Sequence, residues 1–432
     1  MRRILILALL AIAAITIAVS FHQPPMRLMP TPQLFRKGLP AGFAVNPAAA
    51  RSTGIEIFYA TNRLPVGLRT NRTYAVVPSR DLHLGVATLR IGGEATTLET
   101  IQALSTSAAE DRRPRLNLET LAEMATVDDD TRLSPGTRAW LALVNAAIDR
   151  SPDKDVIIYV HGANSTVERA AGQAAQLRHF SGHNSTIVLF AWPTAENFLV
   201  YPRDLVTAYG AAPQLARFIA LLSRHSRARQ IDVLTYSAGG TVGSDGLALA
   251  GRMAAGSTPI RLGEVIHAAP DADTRGFVDD LRDYAGVARR VTVLANMNDA
   301  ALRLSGRINR GSRAGRPDFA ELSPNATRFL LGAAHDKRLE LVQVRPEYFP
   351  SLSAGSHSFW YDDPWVSSDV LLTLLFNLAP ADRGLVAGSA VLAPGQTAPY
   401  WGFPRDYEAR LPGVTDALRG AADQREKEPV AR

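Results

Sequence analysis

The chain has no cysteine among its 432 residues. That excludes disulfides, thiol catalysis and cysteine-ligated metal sites. It leaves the compartment open, because an exported protein can do without cysteine. Clustered charge is missing as well. The net charge is +6 and arginine is strongly preferred over lysine. Yet the Arg112-Arg113 and Arg289-Arg290 pairs and the Arg303–Arg316 stretch stand apart, with no aromatic interleaving. They read as solvated faces, so no nucleic acid is expected as a partner. No H-E-x-x-H and no G-x-x-x-x-G-K-[ST] occurs, and no second histidine stands at ligand spacing from His161. Neither a metal nor another cofactor is therefore expected. Internal repeats and coiled-coil heptads are absent too.

What is present is an ordinary globular composition, 46% hydrophobic and 20% charged, able to bury a sizeable core. Compartment is indicated by the N-terminus. Met1-Arg2-Arg3 is a basic start, Ile4 to Val19 is apolar apart from Thr16, and Ala18-Val19-Ser20 offers small residues for cleavage. Residues 1–20 read as a signal peptide or a short membrane anchor, which places the protein in the periplasm or on the cytoplasmic membrane. Residues 21–50, with Pro24, Pro25, Pro30, Pro32, Pro40 and Pro47, read as a linker.

From residue 51 the pattern changes. Gly54–Ala60 and Leu84–Ile91 predict two strands with a polar turn region between them. Leu116–Met124 and Thr137–Ile148 have helical spacing. A regular alternation follows. Short apolar runs at Val156–Val160, Thr186–Ala191, Ile231–Leu234, Arg261–Ala268, Arg290–Ala295 and Leu339–Val344 predict buried strands. Amphipathic stretches between them predict helices. Continuous apolar strands separated by helices imply a mostly parallel sheet covered on both faces, an α/β architecture with an N-terminal strand extension, over residues 51–380. Residues 381–432, rich in Pro, Gly and Ala and then charged, read as an extended tail, with Tyr400–Phe403 pinning part of it to the body.

Within the alternation, Ile231–Leu234 runs through Thr235-Tyr236-Ser237-Ala238-Gly239 into an Ala/Leu-rich helix. A serine on a sharp strand-to-helix turn has its hydroxyl lifted clear of the sheet and the free N–H groups of the helix start beside it. The usual pattern is G-x-S-x-G, and here Thr235 replaces the first glycine. A His-Gly pair, His161-Gly162, closes the strand at Val156–Val160. Other short motifs stand in a fixed order: Phe58-Tyr59-Ala60-Thr61-Asn62-Arg63, Leu82-His83-Leu84-Gly85, Val160–Asn164, Phe190–Pro193, Tyr201…Asp204, Ala269-Pro270-Asp271, Asn298–Leu302 and Gly355–Ser358.

Together these resemble the α/β-hydrolase superfamily and, more narrowly, a bacterial family of esterase/lipase-like hydrolases of uncharacterised function, over roughly residues 55 to 375. Such proteins usually carry G-H-S-M-G at the turn, so the departure lies at Thr235-Tyr236 and Ala238. The resemblance implies a triad in the chain order Ser, acid, His. Ser237 is the nucleophile. His357, in the loop after the last strand, is the base, while His267 within a strand reads as a packed core histidine and His335 lies in a charged loop. The acid is Asp299 or Asp271; Asp299, after the second strand beyond the turn, is favoured, although both Asp299 and Asp273 also suit helix capping. The oxyanion donors are the N–H groups of Ala238 and Ala163.

The expected function is that of a serine hydrolase cleaving a small-molecule ester or acyl compound outside the cytoplasm. Two other classes compete. One is an inactive α/β-hydrolase fold serving as an envelope binding or scaffold protein, separated by reaction with a covalent serine probe. The other is a nucleotide-binding enzyme, suggested by Gly239-Gly240-Thr241-Val242-Gly243 at a helix start and separated by a dinucleotide titration. Trp192, Phe198, Tyr201 and Tyr236 are candidates for the pocket wall.

Overall fold

The computed structural model describes residues 26–36, 46, 52–127, 132–256, 258–393 and 396–427. The apolar run at Ile4–Val19 and the last five residues lie outside the described residues.

Eleven strands form one sheet among the described residues. They are β1 Gly54–Leu68, β2 Asn71–Ile91, β3 Leu116–Val127, β4 Val156–Val160, β5 Thr186–Ala191, β6 Ile231–Tyr236, β7 Leu262–Ala268, β8 Arg290–Ala295, β9 Leu339–Gln343, β10 Val386–Ala393 and β11 Gln396–Gly402. Their order across the sheet is β10-β11-β9-β8-β7-β6-β4-β5-β1-β2-β3. The pairings from β1 through β5, β4, β6, β7, β8 and β9 to β11 are all parallel. The two outer hairpins, β1-β2-β3 and β10-β11, are antiparallel.

The alternation of side chains explains why the central strands are apolar throughout. In β4, Ile157 and Tyr159 join one core while Val156, Ile158 and Val160 join the other. One core is closed by helices Val167–Phe180, Pro364–Phe376 and Tyr407–Lys427, through Leu177, Leu371 and Tyr407. The other is closed by Pro135–Arg150, Tyr201–His225, Gly239–Ala255 and Thr274–Tyr284, through Trp140, Phe218, Leu247 and Leu281. A strand buried on both faces has no polar face to show in its sequence. Each fully buried aliphatic or phenyl side chain contributes about 1.5–3 kcal/mol against exposure.

Three segments differ from the sequence reading. Leu116–Met124 is part of β3, not a helix. Its register against β2 slips twice, between Leu84 and Gly85 and between Thr88 and Leu89. Each slip adds a residue to β3 and breaks the period of two, so Leu116, Leu118, Leu121 and Met124 fall at a spacing that imitates a helix. Residues 26–36, within the expected linker, belong to the body. Leu28, Met29, Leu34 and Phe35 are buried, Leu28 N donates to Pro114 O (2.8 Å), and Leu116 N donates to Met26 O (2.9 Å). Proline suppresses regular structure there, but the residues between the prolines still bury apolar side chains. The expected tail instead forms β10, β11 and the helix Tyr407–Lys427. β11 joins β9 at Trp401–Val342, and Phe403, Tyr407 and Leu411 are buried. Small residues such as Gly388 and Ala390 gave the hairpin no apolar signature.

The chain passes from β4 to β5 on one side, then returns to place β6 on the other side of β4. Sheet order therefore reverses between β4 and β6, and open α/β sheets place ligands at the carboxyl ends of strands at that crevice.

Candidate active site

The last residues of β4 and β6 are neighbours, with Val160 opposite Thr235. Ser237 follows at a backbone φ of +54°, a left-handed conformation costing a non-glycine residue about 1–2 kcal/mol. Neighbouring backbone holds it there. Ser237 N donates to Ala268 O (3.1 Å), while Ser237 O accepts from Gly240 N and Asp271 N (both 2.8 Å). The turn is tight enough that glycine is required around it. A Cβ on Gly239 would sit 2.4 Å from His161 O, and one on Gly162 would sit 2.9 Å from Ser237 Cβ.

The missing first glycine is compensated one helical turn later. Thr235 Cγ2 occupies the space above Gly243, where an added Cβ would lie 2.3 Å from it. Thr235 Oγ1 meets His267 Nδ1 at 2.8 Å, and His267 Nε2 meets Tyr284 Oη at 3.0 Å. Burial pushes His267 down to about 3, so it serves as a neutral packed side chain. The steric part of this pairing is open to test. Gly243→Ala is expected to lower stability by about 1–3 kcal/mol. Thr235→Ser, which deletes the methyl and keeps the hydroxyl for His267, should restore most of that in the double variant. Thermal unfolding of the three variants measures this; simple addition of the two single effects would exclude the pairing.

Three side chains converge from separate loops. His357 Nε2 lies 2.8 Å from Ser237 Oγ, and His357 Nδ1 lies 2.7 Å from Asp299 Oδ2. Asp299 is fully buried and begins the helix Ala300–Asn309. Its other oxygen, Oδ1, accepts from Leu302 N at 2.9 Å. One carboxylate thus caps a helix and meets a histidine at once. The loops carrying Asp299 and His357 are tied together. Asn296 Nδ2 donates to Ser356 O (2.7 Å), and Ala300 N donates to Gly355 O (3.1 Å). The Tyr236 ring packs against the His357 ring at 5.3 Å.

Asp271 is placed elsewhere. It accepts from Arg313 Nε and from Ser305 Oγ, both at 2.6 Å, and from Tyr201 Oη. It is buried and ion-paired and does not touch His357. His335 ends the helix Pro324–His335 rather than standing in a loop.

Ala163, after β4, lines the cavity beside Ser237, and Ala238 follows Ser237 directly after β6. Among the described residues neither N–H has a hydrogen-bond partner, although Ala238 is fully buried. The loop carrying Ala163 is braced by residues whose roles the sequence reading left open. Arg63, fully buried, donates through Nη2 to Ser165 O (2.9 Å) and through Nε to Trp192 O (3.0 Å), and pairs with Glu196 (2.8 Å). Asp204 Oδ2 accepts from Asn164 N (3.2 Å) and its Oδ1 from Ala195 N (2.6 Å). The only advance signals were the motifs ending in Arg63 and in Asp204. His161 is stacked on Trp192 with ring centroids 5.5 Å apart. Burial, reinforced by Arg63, pushes it down to about 3, so it is a neutral element of the loop.

Beside Ser237 and His357 lies a cavity of ≈ 230 Å³. Its wall includes Tyr201 and Tyr236, two of the four aromatic candidates, together with Arg169, Tyr361, Leu302 and Ile308. Trp192 lies in the core instead.

Residues 137–336 match the family described as "Alpha/beta hydrolase of unknown function" (DUF900). That span includes Ser237 and Asp299 and stops short of His357. No curated protein matches the sequence. Among solved structures the chain is similar to a predicted CIB-like hydrolase from Thermoplasma acidophilum, at 17% identity over 52% of this chain and 88% of that one, with a TM-score of 0.28. It is also similar to esterase B from Lactobacillus rhamnosis, at 12% identity over 64% and 80%, with a TM-score of 0.30. A third is a hyperthermophilic esterase from Pyrobaculum calidifontis, at 15% identity over 52% and 78%, with a TM-score of 0.29. The family match over the central strands agrees with the architecture built on them, and the chain has an α/β-hydrolase fold.

Proposed function

We propose that this hydrolase is a serine esterase whose nucleophile, base and acid are Ser237, His357 and Asp299. The observation that carries the reading is the continuous line from Ser237 Oγ through the His357 ring to Asp299, at 2.8 and 2.7 Å. A serine hydroxyl is a weak nucleophile until a base takes its proton, and the base needs a carboxylate to hold its tautomer.

In the proposed cycle, His357 Nε2 takes the Ser237 proton as Oγ attacks the ester carbonyl carbon. The carbonyl oxygen becomes an oxyanion and accepts from the Ala238 and Ala163 N–H groups. Collapse breaks the bond to the alcohol oxygen, which leaves with the proton from Nε2. Water, deprotonated by the same nitrogen, then attacks the acyl-enzyme; Ser237 recovers its proton and the acid departs. Asp299 holds the His357 tautomer and stabilises the imidazolium. The substrate is a carboxylic ester of a size the cavity beside Ser237 can seat at its acyl or alcohol end. The test is labelling by a fluorophosphonate probe together with screening of esters of graded chain length. Absence of both reactions in folded protein would leave the site a binding pocket.

Export belongs to the same proposal, from the basic start and apolar run at residues 1–20. A reporter fused after residue 50 is expected beyond the cytoplasmic membrane, and deletion of residues 4–19 should retain it inside. Retention of both fusions would refute the assignment.

A further inference from the structure

Two helices meet over the mouth of the pocket. Tyr201, at the start of Tyr201–His225, is 2.8 Å through its hydroxyl from Ser305 of Ala300–Asn309, and Tyr201 and Ile308 both line the cavity. The outward faces of these helices are unusual for a solvated surface. On the first, Arg203, Val206 and Tyr209 are exposed at helical spacing, Val206 to 74%. On the second, Arg303, Leu304, Arg307 and Ile308 are exposed. Leu199 and Val200, just before Tyr201, are exposed as well. The single acid in the span 198–210, Asp204, is buried, and 300–309 contains none. The loop 350–358 across the pocket contains no acid. Nearby acids are Glu168, which is exposed, Glu196, which is paired with Arg63, and the half-buried Asp245, Asp273 and Asp280 beside Tyr209. Exposed aliphatic side chains interleaved with arginines, on helix faces lacking acids of their own, match the boundary between lipid headgroups and acyl chains.

The N-terminal segment enters across the sheet from the helix Tyr201–His225, beside the other wall of the pocket. Met26 packs against Gly172, the neighbour of Gln173 in the pocket wall. The apolar run Ile4–Val19 precedes it by six residues, which reach at most about 21 Å when fully extended.

We propose that the face made by the outer sides of Tyr201–His225 and Ala300–Asn309 docks on an anionic lipid bilayer, and that the pocket at Ser237 takes its ester from a lipid in that bilayer. The choice of substrate rests on the esterase reading; the docking does not. Aliphatic side chains enter the acyl boundary, and arginines meet the lipid phosphates at the rim. An arginine near an anionic surface contributes about fivefold to association.

The absence of cysteine makes the test clean. Full-length protein carrying Leu304→Cys has a single thiol, which takes an environment-sensitive fluorophore; Val391→Cys, exposed at 74% in the hairpin at the far edge of the sheet, is the control. Both are mixed with phosphatidylcholine vesicles, with and without phosphatidylglycerol, containing nitroxide-labelled lipid. The expected result is strong quenching at position 304 on anionic vesicles and little at 391. Arg303→Gln with Arg307→Gln should shift docking about 25-fold toward the undocked form. The same double variant should keep turnover of a soluble short-chain ester and lose turnover of an ester presented in the vesicle. Equal quenching at the two positions in vesicle-bound protein would overturn the proposal. Shielding at position 304 that grows with protein concentration and needs no vesicles would also overturn it, by showing that a second copy covers this face. Ser237→Ala should dock like the wild type, so loss of hydrolysis and loss of docking are read separately.

Discussion

Ser237→Ala is expected to abolish ester hydrolysis and fluorophosphonate labelling while the protein remains folded. The substitution keeps the Cβ, so the left-handed φ of +54° is no more strained than before. It also keeps every backbone contact that fixes the turn, because Ala268 O, Gly240 N and Asp271 N all engage the main chain of residue 237. What it removes is the oxygen 2.8 Å from His357 Nε2. Loss of a triad nucleophile lowers kcat by about 10⁶-fold, and unfolding temperature should change by little more than experimental scatter. Residual turnover near the wild-type rate, in protein with an unchanged melt, would move the nucleophile elsewhere.

The second large effect separates two aspartates. Asp299→Asn is expected to lower kcat by about 10⁴-fold with little change in KM, since the loss lies in the transition state. An amide beside His357 Nδ1 can donate rather than accept, which leaves the wrong tautomer facing Ser237. The fold should tolerate the change, because asparagine caps a helix as well as aspartate does, and Leu302 N keeps an acceptor at Oδ1. Asp271→Asn should behave in the opposite way. It leaves the buried Arg313 guanidinium without its carboxylate, and breaking a buried pair on one side costs about 3–5 kcal/mol. Its melt should fall while kcat in the folded fraction stays within a few-fold. Kinetics and thermal unfolding on the same two variants read both axes. An inactive Asp271→Asn with a normal melt, beside an active Asp299→Asn, would exchange the two roles.

The sheet was legible where burial on both faces made strands such as Val156–Val160 and Thr186–Ala191 short, continuous and apolar. It was illegible where a second rule intervened. The slips in β3 erased its period of two. The stretch 26–36 carries prolines yet buries Leu28 and Phe35, because burial needs side chains and not a repeating backbone. In the hairpin β10–β11 the first strand is built from small and aliphatic residues without a clear period; the second was marked only by Tyr400 and Trp401, and it pairs with Val342 and Gln343 of β9. At the site, the order of Ser237, Asp299 and His357 along the chain anticipated which loops would meet. It did not distinguish a capping role from contact with the histidine for Asp299, because one carboxylate has two oxygens and uses one for each. The fit of Thr235 over Gly243 is a contact between residues eight apart on a strand and a helix, and only three dimensions reveal it.

The most direct measurement is the location of the covalent adduct. Wild-type protein is reacted with a fluorophosphonate, digested with trypsin and mapped by mass. The peptide of interest runs from residue 230 to 252 and contains two serines, Ser237 and Ser244; Ser244 donates to Asp280 and is buried away from the cavity. The account predicts one adduct per chain, on Ser237, formed far more slowly in His357→Ala. An adduct on any other residue, or none in protein that still hydrolyses esters, would contradict it.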